Sequence, residues 1–238
     1  MNSFNLLALP LCITVLSLSS VSAQSLDTDE VNYGDPTASF STLGASRGEN
    51  STMLNFQAGF GANIFQIDYG FNDKSLSKDP NKEGSQNYRA RAFHVTEGLG
   101  FSATVVGSQN ADDTKSDAVF VGALYKFELT DNILLFPMLD AGRSYGTVRH
   151  NGELIDNNSN IVQPGLYAMY AFDDGHWLYA NPKAQYNVAA KEWVPQAEIG
   201  GGYMVSDSIS VGFRLDHTGE SKITKEDTKL MIQGNYYF

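Results

Sequence analysis

The sequence predicts an all-β chain, an up-and-down antiparallel barrel of twelve strands, with ten as the alternative count. Three observations carry this reading. Segment after segment alternates apolar and polar residues, the period of a strand with two unlike faces. Tight turns alternate with longer polar stretches along the chain, and helical spacing is nowhere sustained.

The first segment lies outside that pattern. Residues 1–23 carry no charged side chain, Leu6 to Leu18 is mostly apolar, and Val21-Ser22-Ala23 offers small residues ahead of Gln24. This predicts a signal peptide cleaved near Ala23. Cleavage leaves 215 of the 238 residues, and the only cysteine, Cys12, departs with the peptide, so neither a disulfide nor thiol chemistry is available. Residues 24–36 are acidic and unpatterned and read as a periplasmic lead-in, which leaves 37–238 for the barrel.

The strands follow in order. Residues 38–46 and 51–60 form the hairpin that separates twelve strands from ten, with its tip at Arg47-Gly48-Glu49-Asn50. Ten further crossings fall near 63–71, 86–96, 99–107, 117–129, 133–146, 160–172, 176–188, 193–204, 208–217 and 228–238. The alternation is cleanest at Ile209, Val211, Phe213 and Leu215 against Ser210, Gly212, Arg214 and Asp216. Short turns such as Glu97-Gly98, Asp173-Asp174-Gly175 and Ser206-Asp207 face the long stretches 72–86, 108–117, 146–160 and 217–227. Such alternation places the tight turns at one end and the long loops at the other.

A soluble sandwich also alternates, so the two architectures are separated by where the large residues sit. A sandwich points its apolar face into a core, whereas a membrane barrel points it at lipid and marks both interfaces with aromatic girdles. Here Tyr125 with Phe127, Tyr170 with Phe172, and Tyr236 with Phe238 recur at one end, while Tyr69, Phe71, Tyr145 and Trp193 suit the other. The opposite face carries charges in mid-strand. The chain is therefore read as a transmembrane barrel, consistent with 12% aromatic and only 18% charged residues. Beyond residue 23 no apolar run reaches the ~18 residues of a spanning helix. Nucleic acid is excluded as a partner, because 16 basic residues stand against 27 acidic ones.

With its signal peptide, ten-residue alternating strands, the Gly-rich Gly200-Gly201-Gly202 and an end at Tyr236 and Phe238, the chain resembles the outer-membrane β-barrel proteins of Gram-negative bacteria. The resemblance spans roughly residues 37–238 and implies an outer-membrane location. It also implies contact with outer-membrane lipid and lipopolysaccharide, and a barrel assembly machinery that reads Tyr236 and Phe238. At the position five before Phe238, where the family usually has glycine, this chain has Gln233.

The polar face predicts a lumen lined by Asp68, Lys126, Glu128, Asp140, Lys183, Glu198, Arg214 and Asp216. Mixed charges of this kind either pair and close the lumen or line an aqueous path. Arg89 and Arg91 join the set if their strand face is interior, although Phe93 and Val95 share it. No catalytic residue, metal ligand or cofactor is predicted. Asp216 and His217 are adjacent on one strand and point to opposite faces, which disfavours a dyad. Asp112, Asp113 and Asp117, and Asp156 with Asn157 and Asn158, lack ordered ligand spacing and read as turn formers. The function expected is a structural envelope role or a narrow pore for ions or small solutes. The alternatives are a barrel enzyme acting on envelope lipid and a surface adhesin or receptor using the loops.

Overall fold

The computed structural model describes residues 31–73, 84–150 and 152–238, with backbone alone at His150. The predicted signal peptide, Cys12, the start of the lead-in and the charged stretch from Lys74 to Glu83 lie outside the described residues.

Fourteen strand segments form one closed sheet: β1 (Thr42–Gly48), β2 (Ser51–Phe60), β3 (Asn63–Asn72), β4 (Gln86–Thr96), β5 (Leu99–Gln109), β6 (Lys115–Tyr125), β7 (Phe127–Glu128), β8 (Ile133–His150), β9 (Glu153–Asp156), β10 (Ser159–Ala171), β11 (Trp177–Asn187), β12 (Glu192–Ser206), β13 (Ile209–Thr218) and β14 (Asp227–Tyr237). β7 prolongs β6 after a break at Lys126, and β9 folds back on the end of β8. The other segments make twelve crossings, each pairing antiparallel with its sequence neighbours. β1 pairs with β14 from Thr42↔Tyr237 to Gly48↔Met231, which closes the barrel and removes the exposed edges that an open sheet would present. No helix occurs among the described residues.

The period-two pattern sets the two surfaces. Ile232 (71% exposed), Val121 (64%) and Leu230 (60%) belong to an apolar outer wall that water could not favour over so large a patch. Aromatic pairs stand at both ends of this wall. Near the termini lie Tyr125 with Phe127 (ring centroids 4.6 Å), Tyr170 with Phe172 (4.7 Å) and Tyr236 with Phe238 (6.0 Å). At the loop end lie Tyr69 with Phe71 (6.3 Å) and Tyr186 with Trp193 (4.9 Å).

The connections depart from strict short and long alternation. β1 and β2 are joined through Glu49 and Asn50 alone, Arg47 and Gly48 remaining in the strand, and β11 and β12 are joined through 188–191. The stretch 146–160, expected as loop, is largely an extended hairpin: β8 runs to His150 and pairs with β9 from Thr147↔Asp156. Val148, Leu154 and Ile155 give this stretch its strand character despite the polar residues around them. At the terminal end, Gly98 and Gly175 adopt φ of +82° and +77°, conformations that a side chain would strain.

The interior is not polar throughout. Towards the terminal end the inward positions carry Ile64, Phe93, Leu124, Phe136, Met169 and Trp177, which cluster together with Tyr237. Alternation distinguishes inside from outside but says nothing about which inward residues meet water. Here they meet the chain's own N-terminal segment. Tyr33 stacks on Tyr237 (3.7 Å) and contacts Phe40 edge-on (5.1 Å). Tyr33, Gly34 and Asp35, placed by sequence in a periplasmic lead-in, thus lie inside this end of the barrel.

One joint in the wall is interrupted more often than the others. Between β10 and β11 the ladder pairs Val162↔Tyr186, Gly165↔Lys183 and Ala168↔Ala180, skipping the positions around Pro164 and Pro182, whereas β11 and β12 pair at every position. Proline cannot donate to a ladder, which accounts for the gaps.

Candidate functional site

The site is the lumen, built from inward positions of nearly every crossing. The N-terminal segment forms its floor. The Asp35 carboxylate is buried, and its Oδ1 accepts from the Thr37 amide (2.7 Å) and hydroxyl (2.6 Å), an Asx-type turn that bends the chain. Its Oδ2 faces Lys126 Nζ at 3.0 Å. The Tyr167 hydroxyl donates to the Gly34 carbonyl (2.8 Å), and Gln57 Nε2 donates to the Phe40 carbonyl (3.3 Å). At Gly34 any side chain would run into the Trp177 ring, so glycine is what lets this segment lie against the wall.

Beyond the floor lies a polar cavity of about 280 Å³, lined by Asp68, Arg89, Tyr179, Glu198 and Arg214 among others. Arg89 Nε donates to Asp68 Oδ2 at 2.6 Å, and a second guanidinium nitrogen lies 2.5 Å from the same oxygen. The Tyr179 hydroxyl donates to Glu198 Oε1 at 2.5 Å. Arg214 Nε stands 3.2 Å from Asp216 Oδ2, close enough for an ion pair but without hydrogen-bond geometry. Its neighbour Nη2 rests 3.3 Å from the Met53 sulfur. A second cavity, of about 570 Å³, continues towards the loop end, and Arg89, Arg91, Asp140, Gln163 and Lys183 line both.

The eight residues predicted for the lumen are therefore distributed unequally. Asp68, Asp140, Lys183, Glu198 and Arg214 line the first cavity, and Asp216 joins them through Arg214. Lys126 belongs to the floor, and Glu128, 3.4 Å from Lys126 with its side chain 71% exposed, stands at the terminal rim. Arg89 and Arg91 are interior, and Phe93 and Val95 on the same face contribute to the apolar floor below them. The floor itself was missed by sequence reasoning. The signals pointing to it were apolar residues on an otherwise polar face, and Tyr33-Gly34-Asp35 within an acidic stretch.

The other candidate groups are occupied elsewhere. His217 Nδ1 meets the Thr228 hydroxyl (2.9 Å) while Asp216 faces Arg214, so the two do not form a dyad. His94 meets Asn63 Oδ1 (2.9 Å), and His176 Nδ1 accepts the Met204 amide (3.0 Å). In the β5 to β6 loop Asp112 Oδ1 accepts from the Thr114 hydroxyl (2.6 Å) and amide (3.1 Å), bonds that hold its carboxyl below the ordinary carboxylate range. Asp117 accepts from the Tyr88 hydroxyl (3.0 Å). No cluster of three metal-ligating side chains occurs among the described residues.

No family model and no curated protein sequence matches the chain. Solved structures do. An outer membrane channel from Pseudomonas putida F1 superposes with a TM-score of 0.59 at 13% identity, over 88% of this chain and 100% of that one. The beta domain of the Bordetella autotransporter Brka superposes with 0.56 at 12% identity, over 84% and 100%. The NanC porin does so with 0.52 at 8% identity, over 84% and 100%. Together with the closed twelve-crossing sheet, the apolar outer wall and the two aromatic girdles, these likenesses establish that the chain has the up-and-down β-barrel fold of outer-membrane proteins.

Proposed function

We propose that the chain forms a narrow pore for ions or small solutes in the outer membrane of a Gram-negative bacterium, held shut from the periplasmic side by its own N-terminal segment. The observation that carries this reading is the pair of polar cavities. They share five lining residues and run from the loop end to a floor built partly from Tyr33, Asp35 and Phe40. A barrel serving only as a wall has no need of connected, charged interior space, since apolar packing at the same positions would avoid the desolvation cost. Structures named as porins and channels share the fold, which favours a pore over an enzyme acting on lipid. The same reading takes residues 1–23 as the secretion signal, outer-membrane lipid and lipopolysaccharide as the surroundings, and Tyr236 with Phe238 as the signal read by the assembly machinery.

Planar-bilayer recording tests the proposal. Folded full-length protein, recognised by a different electrophoretic mobility before and after heating, is expected to give rare, brief conductance steps. A correctly folded barrel that stays silent under every applied voltage, even after the floor is loosened, would refute a pore.

A further inference from the structure

From the geometry of the larger cavity we infer a binding site for small polycarboxylate anions near the loop end, with Arg91 and Lys183 as its principal contacts. This rests on the cavity being reachable from outside, as the pore reading requires. The chain carries a net charge of -11, yet the described charged residues around this cavity are five cations (Arg89, Arg91, Lys115, Arg149 and Lys183) and two carboxylates (Asp112 and Asp140). A cationic chamber in an anionic protein concentrates anions and repels cations at its mouth.

Two of those cations, at the inner end, have no carboxylate within ion-pair distance among the described residues. Arg89 is matched by Asp68, and Arg149 is engaged by the Asp112 carbonyl (2.7 Å) and Asp113 (4.0 Å). Arg91 and Lys183 make no ion pair among the described residues. Arg91 uses Nε on the Thr104 hydroxyl (3.0 Å) and lies over the Phe93 ring (5.1 Å), which fixes the guanidinium while leaving its two terminal nitrogens free of any carboxylate. Lys183 makes no side-chain hydrogen bond among the described residues and faces both cavities.

Arg91 on β4 and Lys183 on β11 are five strands apart around a ring of twelve, so they stand on nearly opposite walls. Asp140, also at this level, is the nearest carboxylate lining this cavity for the two cations, and Glu198 of the adjoining cavity acts on both at longer range. Gln185, two residues along β11 from Lys183, adds an amide donor, while Gln163 is engaged with Asp140. A planar fork on one wall and a point charge on the other suit a ligand carrying two or more carboxylates held apart. A cavity of about 570 Å³ accommodates a small organic acid of this kind.

The test is isothermal titration of the folded full-length protein in detergent with citrate as probe and glycerol as the uncharged control. Saturable citrate binding is expected, weakening as salt is raised and falling about tenfold or more in Arg91→Gln and in Lys183→Gln, the scale of one lost charge-assisted hydrogen bond. Lys183→Arg should retain it, and heat-modifiable mobility confirms that each variant folds. Absence of saturable binding, or equal citrate affinity in the parent and both glutamine variants, overturns the inference. Citrate binding by a protein that stays silent in bilayers even after the floor is loosened leaves the site standing and removes the pore. Conductance steps without citrate binding do the reverse.

Discussion

Substituting Lys126 by alanine removes the cation that holds the floor. In the structure its ammonium lies 3.0 Å from Asp35 Oδ2, with the Asp35 side chain 9% and the Lys126 side chain 26% exposed. Breaking a fully buried pair costs ~3–5 kcal/mol, because the remaining charge has lost both water and partner. Here the loss is smaller: Thr37 still satisfies Oδ1, and the lysine is a quarter exposed, so about 2 kcal/mol is the appropriate scale. That penalty falls on the state with Asp35 inside the barrel and not on a state with the segment released. The ratio of open to closed should therefore rise about 30-fold, at ~1.4 kcal/mol per decade. Single-channel recording of the full chain reads this directly as the fraction of time open. Glu128→Gln is the control. Glu128 also faces Lys126, at 3.4 Å, but its side chain is largely exposed, and such pairs contribute at most ~1 kcal/mol. An open fraction in Lys126→Ala within about twofold of the parent, from protein that folds normally, would refute the assignment of this pair as what holds the floor.

Three further outcomes are expected. Val121→Arg places a charge on the outer wall in the middle of β6 and should cost ~2–4 kcal/mol of barrel stability in lipid, read from urea unfolding in vesicles; a loss under ~0.5 kcal/mol would argue that this face does not meet hydrocarbon. Brominated acyl chains should quench Trp193, half exposed on the outer wall, and spare Trp177, 5% exposed within the floor; single-tryptophan variants made with Phe separate the two signals. The Asp112 turn should depend on pH with a definite sign. Its folded pKa lies below the ordinary value, so its contribution to loop order is complete above about pH 4 and is lost as pH falls through the lowered value. The Thr114 amide resonance should move in that acidic window in the parent and stay still in Asp112→Ala.

The parts of the molecule legible in the sequence are those governed by a local period. A strand with lipid on one side and lumen on the other must alternate, so Ile209 to Leu215 declares its faces without reference to any other strand. The count of twelve followed from the same rule applied to Leu54, Phe56 and Phe60, and the girdles from aromatics recurring at strand ends. The floor obeys no such rule. Tyr33 is inside because Tyr237 offers it a ring, and Asp35 is buried because Lys126 reaches it, contacts that join residues some 90 to 200 positions apart. Arg89 and Arg91 were ambiguous for the same reason, since a face carrying both arginine and phenylalanine makes sense only once it is known to cross from a wet chamber to a dry one. The length of β8 was hidden because its last residues are polar, and their strand character depends on β9 folding back onto them.

The interrupted ladder between β10 and β11 bears on the mechanics of the wall. A closed hoop under lateral pressure from the bilayer yields first at its softest joint, and joints with fewer interruptions concentrate the deformation there. Pro164 and Pro182 supply no amide hydrogen to that joint, and Asn181 Oδ1, buried beside it, has no hydrogen-bond partner. The meridian through these residues is therefore the place where the cross-section can ovalise without breaking bonds that exist. Lys183 is carried on it, so ovalisation along this meridian changes the separation between its wall and that of Arg91 across the lumen.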